Sequence, residues 1–135
     1  MIEGGRFHHV GVACTDLDRE AERFGQLGYR REGDDFTDPE QRISGRFLVA
    51  DGQPRLELLV DSGPGGPLGP WLEKGVKLYH FAYEVPDLGA ALDRLTRDRA
   101  RVVVPPVPAV AFGGREIAFA MQPGGFLVEL IHTPS

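Results

Sequence analysis

A mixed α+β fold built from two copies of one βαβββ module is what the sequence predicts, and three observations lead to it. The stretch Phe7-His8-His9-Val10-Gly11-Val12-Ala13-Cys14-Thr15-Asp16-Leu17 matches Leu78-Tyr79-His80-Phe81-Ala82-Tyr83-Glu84-Val85-Pro86-Asp87-Leu88, with a constant offset of 71 residues. A second match, Arg55-Leu56-Glu57-Leu58-Leu59-Val60 with Leu127-Val128-Glu129-Leu130-Ile131-His132, has an offset of 72. Between these ends both copies run through the same order of patterns, one helical stripe followed by room for two strands.

The opening stretch of each copy is a strand ending at Asp16 or Asp87, whose carboxylate can accept the free N–H groups of a following helix. In the first helix Leu17, Ala21 and Phe24 share a face and Gly28 is a natural stop; in the second, Leu88, Ala91, Leu92 and Leu95 make the same stripe. Strands are then expected near residues 29–36 and 43–50, with Asp51-Gly52 as a hairpin turn, and near residues 100–104 and 115–121, with Pro123-Gly124-Gly125 turning into the last strand. The Gly/Pro-rich stretch 61–70, followed by Trp71-Leu72-Glu73-Lys74-Gly75, reads as a linker with one short helix. A lone module of this size buries too little surface to stand alone. Residues 1–135 are therefore expected to form a single domain: module one at about 7–60, a linker at 61–77, and module two at about 78–132.

Composition narrows the function. With 135 residues, 41% hydrophobic and 26% charged, the chain is globular rather than disordered. Its 15 basic and 20 acidic side chains leave a net charge of −5, which does not suit a nucleic-acid binder. The single cysteine, Cys14, excludes an internal disulfide and fits a reducing compartment. The apolar stretch from Val102 to Phe112 contains three prolines and is too short to span a bilayer. Met1 to Arg6 carry no charged-then-apolar leader pattern, so a cytoplasmic chain with no membrane partner is expected.

Alternate residues of a strand share a face, which groups Phe7, His9, Gly11 and Ala13, and likewise Leu78, His80, Ala82 and Glu84. Each histidine is followed two positions on by a residue with little or no side chain, leaving space above the strand. Glu57 and Glu129 sit inside apolar runs, where a carboxylate is costly unless paired, hydrogen-bonded or bound to a metal. One histidine and one glutamate per module, at matched places, would converge under pseudo-symmetry as His9, Glu57, His80 and Glu129. Two imidazoles and two carboxylates suit one divalent ion such as Zn²⁺, Ni²⁺, Co²⁺ or Mn²⁺. A single His in a strand is usually a hydrogen-bonded core or surface residue; it is the duplication that favours a metal site. His8 and His132 fall on the opposite alternation and, like Cys14, read as structural or solvated.

At these residues the chain resembles the vicinal oxygen chelate superfamily, which includes glyoxalase I, bleomycin-resistance proteins, extradiol dioxygenases and methylmalonyl-CoA epimerase. Its closest form of resemblance is to the epimerases. The segments that carry it are His8–Ala13, Arg55–Leu59, Pro70–Gly75, Tyr79–Val85, Gly113–Phe119 and Leu127–Leu130. It implies paired modules whose sheets curl into a partly closed, mixed β-barrel around a metal held by His9, Glu57, His80 and Glu129. Two departures from the epimerase pattern stand out. Gln122 replaces a histidine in a shortened Met121–Gly125 loop, and Arg46 lies near the place of a catalytic glutamate proposed for some epimerases.

The chemistry implied is proton abstraction α to a carbonyl, with the metal gripping two neighbouring substrate oxygens. Glu129 would be the base and Glu57 its partner on the opposite face, while Arg46 and Arg115 are candidates to orient an anionic substrate. The substrate is expected to be a small molecule with adjacent oxygens, an acyl-CoA among the options. The alternatives are a glyoxalase I-type lyase or other metalloenzyme of the superfamily, and a non-enzymatic antibiotic-binding protein. Exposed strand edges make a homodimer plausible.

Overall fold

The computed structural model describes residues 2–134. It divides into two compact units, one of residues 9–79 and one made of the residues up to His8 together with those from His80 onward. Eight strands and three α-helices are formed among the described residues, in the order β1 (Arg6–Ala13), α1 (Leu17–Gly25), β2 (Arg30–Asp38), β3 (Ile43–Val49), β4 (Leu56–Asp61), α2 (Gly69–Glu73), β5 (Leu78–Val85), α3 (Leu88–Arg97), β6 (Arg101–Pro108), β7 (Glu116–Met121) and β8 (Leu127–His132). The βαβββ order expected of each copy is the order observed, and the short helix foreseen near Trp71 is α2.

In the unit of residues 9–79 the strand order is β2-β3-β4-β1, with β1 parallel to β4 and the other neighbours antiparallel. The Asp16 carboxylate accepts from the Arg19 N–H at 3.0 Å and so caps α1. The helix ends where Gly28 turns into the left-handed region at φ +97°, and the Tyr29 N–H returns to the Phe24 carbonyl at 3.2 Å. Leu17, Ala21, Phe24 and Tyr29 then pack on Val12, Leu48, Leu56 and Leu58 of the sheet.

The other unit repeats this plan as β5-β8-β7-β6, with β5 parallel to β8. Asp87 caps α3 through the Ala90 N–H at 2.9 Å. Arg99 takes the left-handed conformation at φ 74° where the first copy has Gly28, and the Ala100 N–H reaches the Leu95 carbonyl at 2.9 Å. Leu88, Ala91, Leu92 and Leu95 pack on Val85, Val128 and Leu130, which is the stripe read from the sequence. Strand β6 runs four residues past its expected end, through Pro105, Pro106 and Pro108. It pairs only with β7 and does so with two register irregularities, the setting in which a strand tolerates residues lacking an N–H. β2 in the one unit and β6 in the other each have a partner strand on one side only. No described helix is long and apolar enough to cross a membrane.

Candidate metal centre

Two buried histidine–glutamate pairs occupy equivalent places. On the parallel β1–β4 ladder Gly11 stands opposite Glu57, and the missing side chain leaves room for the carboxylate to reach His9 two residues earlier. His9 Nε2 lies 3.1 Å from Glu57 Oε1, with the two side chains 0% and 5% exposed. On the β5–β8 ladder Ala82 stands opposite Glu129, and His80 Nε2 lies 3.2 Å from Glu129 Oε1 in equal burial. Carboxylates this far from water need compensation from an opposite charge, hydrogen bonds or a cation. Among the described residues, His9, Glu57, His80 and Glu129 form the group of histidine and carboxylate side chains that could hold a metal ion.

The donor set fits such an ion. Donor atoms about 2.1 Å from a shared centre stand about 3.0 Å apart along an octahedral edge and about 3.4 Å apart along a tetrahedral one. The two nitrogen–oxygen separations fall between these values. Imidazole nitrogen with carboxylate oxygen suits borderline divalent cations, and no thiolate takes part.

Each pair has an aromatic wall that the pattern of charged residues did not reveal. Phe47 is the cross-strand partner of Glu57 on the β3–β4 ladder, and its ring meets the His9 imidazole edge-on with centroids 5.5 Å apart. Phe119 is the partner of Glu129 on β7–β8 and meets the His80 ring in the same way at 5.2 Å. The signal was present in the sequence, because Phe47 and Phe119 are separated by the same 72 residues as Glu57 and Glu129.

The two arginines have different surroundings. Arg46 pairs with Leu58 on the β3–β4 ladder and so alternates away from Phe47 and Glu57. Its buried guanidinium forks onto Asp35 with two 2.8 Å hydrogen bonds and donates a third, also 2.8 Å, to Asp18. Hydrogen bonding to Arg46 holds the Asp35 carboxyl below the usual carboxylate range. Arg115, in contrast, is partly exposed. It donates to the Phe112 and His132 carbonyls and to the Thr133 hydroxyl, with Glu84 at 3.7 Å. Burial alone would push the Glu84 carboxyl up; the hydrogen bond from Thr133 and the cationic groups of His8, Arg6 and Arg115 outweigh it and hold it down. Phe7 departs from the face assigned to it: its ring meets Phe81 and Tyr83 edge-on, residues that alternate away from His80. Packing on aromatic surface suits that ring better than the charged neighbourhood of Glu84.

Fold and donor set together define a repeat-built α+β protein of twin βαβββ modules, each carrying one buried histidine–glutamate pair. The chain belongs to the Glyoxalase/Bleomycin resistance protein/Dioxygenase superfamily, whose family model matches residues 8–119. Among its relatives is the ethylmalonyl-CoA/methylmalonyl-CoA epimerase of Cereibacter sphaeroides, 32% identical over 131 residues, an alignment covering 93% of this chain and 96% of that one. The crystal structure of methylmalonyl-CoA epimerase from Mycobacterium tuberculosis superposes with a TM-score of 0.78 at 26% identity, covering 96% of this chain and 87% of the other. A Streptomyces coelicolor methylmalonyl-CoA epimerase variant in complex with 2-nitronate-propionyl-CoA matches with a TM-score of 0.77 at 27% identity, covering 96% and 98%. The chain is thus a homologue of methylmalonyl-CoA epimerases, and the family resemblance read from its segments holds across nearly its whole length.

Proposed function

We propose that this protein is a divalent-metal-dependent epimerase that inverts the carbon α to the thioester carbonyl of a short branched acyl-CoA of the methylmalonyl or ethylmalonyl type. The observation that carries the reading is the duplicated His–Glu pair, buried in both modules and joined to homology with epimerases. His9, Glu57, His80 and Glu129 would share one ion of the Zn²⁺, Ni²⁺, Co²⁺ or Mn²⁺ class. When bound, that ion supplies Lewis acidity that stabilises negative charge on a carbonyl oxygen, without which an α-proton is too weakly acidic for a carboxylate to remove.

The chain's own groups perform the proton transfers. Glu129, whose Oε1 lies beside His80, would take the α-proton from one face of the carbon; Glu57, beside His9 in the same way, would serve the other face. Proton balance requires that one carboxyl start ionised and the other protonated, so that inversion neither gains nor loses a proton. Phe47 and Phe119 shield one side of each imidazole from water. Arg115 offers a cation for an anionic substrate group. Arg46, whose Nε and Nη2 donate to Asp35 and Asp18, ties β2 and α1 to β3. A cytoplasmic homodimer fits the buried free thiol of Cys14 and the one-sided edge strands β2 and β6.

The test is deuterium wash-in from heavy water at the α-carbon of methylmalonyl-CoA and ethylmalonyl-CoA, with metal-loaded and chelated protein. Incorporation by the loaded form alone supports the reading. Its absence with every thioester, alongside turnover of the methylglyoxal–glutathione hemithioacetal, would assign the protein to the glyoxalase I-type lyases instead.

A further inference from the structure

The internal repeat sets the surroundings of the two histidines side by side, and they differ one step beyond Phe47 and Phe119. At the offset of 72 that joins Glu57 to Glu129, Gly45 corresponds to Ile117. Their cross-strand partners are Phe36 on β2 and Val107 on β6. The first module therefore sets a ring against a glycine where the second sets two aliphatic side chains, and Ile117 is fully buried.

The glycine is what lets the ring lie down on β3. A Cβ at Gly45 would collide with Cζ of Phe36, stand 2.9 Å from its Cε1 and crowd the Leu58 carbonyl oxygen at 3.0 Å. Strand β2 delivers the ring through a bulge. Glu32 stands opposite Phe47 and Phe36 opposite Gly45, so four steps on β2 span two on β3, with Gly33 left-handed at φ +72°. Bulges are a means of re-aiming a side chain. So aimed, Phe36 packs against the buried cluster of Ala13, Ile43, Leu59 and Leu68. Its ring also lies tilted on Phe47, with centroids 5.7 Å apart and planes 34° from parallel. Phe47 in turn meets the His9 imidazole edge-on.

We propose that Phe36 is a positioning residue for His9: admitted by Gly45 and braced on the buried cluster, it keeps Phe47 from turning and so fixes the plane of the imidazole. Neighbouring aromatic rings favour defined relative orientations, and orienting an imidazole is what groups beyond the ligands themselves contribute to a metal site. At the matching ladder position of the second module Val107 stands in place of Phe36, so loss of the Phe36 ring should disturb His9 and leave His80 as it is. The effect on metal affinity rests on the metal centre proposed above; the effect on the orientation of His9 does not.

The experiment follows the nuclear Overhauser contacts between the His9 and Phe47 rings, and between the His80 and Phe119 rings, in the metal-free full-length protein. Phe36→Leu, which lacks the Cε1 and Cζ atoms, should weaken the first contact and leave the second unchanged. Competitive titration with Zn²⁺ should show an affinity lower by about fivefold. Gly45→Ala, which displaces the ring, should act in the same way. Added to Phe36→Leu it should lower the affinity no further, because the atoms it collides with are gone. An unaltered His9–Phe47 contact in folded Phe36→Leu, an equal change at His80, or a further loss of affinity in the double variant would each overturn the proposal. A native chain that takes up no Zn²⁺ would count against the metal centre, and the ring contacts of the metal-free protein would still decide the role of Phe36.

Discussion

Glu57 stands directly across the antiparallel β3–β4 ladder from Phe47, whose ring meets the His9 imidazole edge-on at 5.5 Å. A ring so placed limits the orientations open to the imidazole and removes water from one side of the His–Glu pair, and Phe119 does the same for His80. Groups that orient a ligand's ring matter nearly as much as the ligand itself. Phe119→Ala, at a buried position, should cost about 3 kcal/mol of stability and weaken metal binding about tenfold. Phe119→Leu should recover most of the stability but not the affinity. Urea unfolding and competitive metal titration measure the two effects separately.

Metal removal should destabilise the protein as a whole, because ligands from both modules are proposed to share one ion. At a free metal concentration a thousandfold above Kd, binding contributes about 4 kcal/mol, which for a chain of this size corresponds to roughly 15 °C in Tm. Calorimetry before and after chelation should show that drop. Elemental analysis should find one ion per chain, with His9→Ala and His80→Ala each abolishing it. Two ions per chain, or one retained by either variant, would show that the pairs act separately.

The repeat made most of this legible in advance. Its constant offset aligned the helix caps Asp16 and Asp87, paired Glu57 with Glu129, and placed eight strands in order. What it hid depends on pairing, which one strand's sequence does not carry. The prolines of residues 105–108 argue against a strand until β6 is known to be an edge. Arg46 reads as a surface or substrate-facing charge until β2 and α1 bring Asp35 and Asp18 to it. Phe47 and Phe119 look like ordinary core residues until the ladders set them opposite the glutamates.

Arg46→Met should reveal that arginine's role through pH as well as through stability. Hydrogen bonding to Arg46 lowers the folded-state pKa of Asp35, so the stabilisation is fully present above the ordinary carboxylate value near 4 and is lost as pH falls through the lowered value. Asp35 and Asp18 keep contact with solvent, at 39% and 89% side-chain exposure, so the cost at neutral pH is about 1–2 kcal/mol rather than the larger penalty of a fully buried pair. The difference between native and variant unfolding energies should shrink as the solution is made more acid. KM for the acyl-CoA should stay within about twofold of the native value, since a substrate-binding arginine would cost about tenfold for each 1.4 kcal/mol of lost contact.

Glu57→Gln and Glu129→Gln should separate inversion from exchange. Each amide keeps an oxygen donor near its histidine but cannot accept a proton from carbon at neutral pH. Removing one carboxyl therefore blocks inversion in both directions, with a loss on the order of 10²–10⁴-fold. The remaining carboxyl still faces the α-proton of one enantiomer and can return a deuteron to the face it came from. Glu57→Gln should then wash deuterium into one enantiomer of methylmalonyl-CoA without inverting it, and Glu129→Gln should do so only with the other. Circular dichroism of the thioester reports inversion, and mass spectrometry of the same sample reports exchange. If both variants exchange the same enantiomer, the two glutamates do not serve opposite faces, and a single base must carry the reaction.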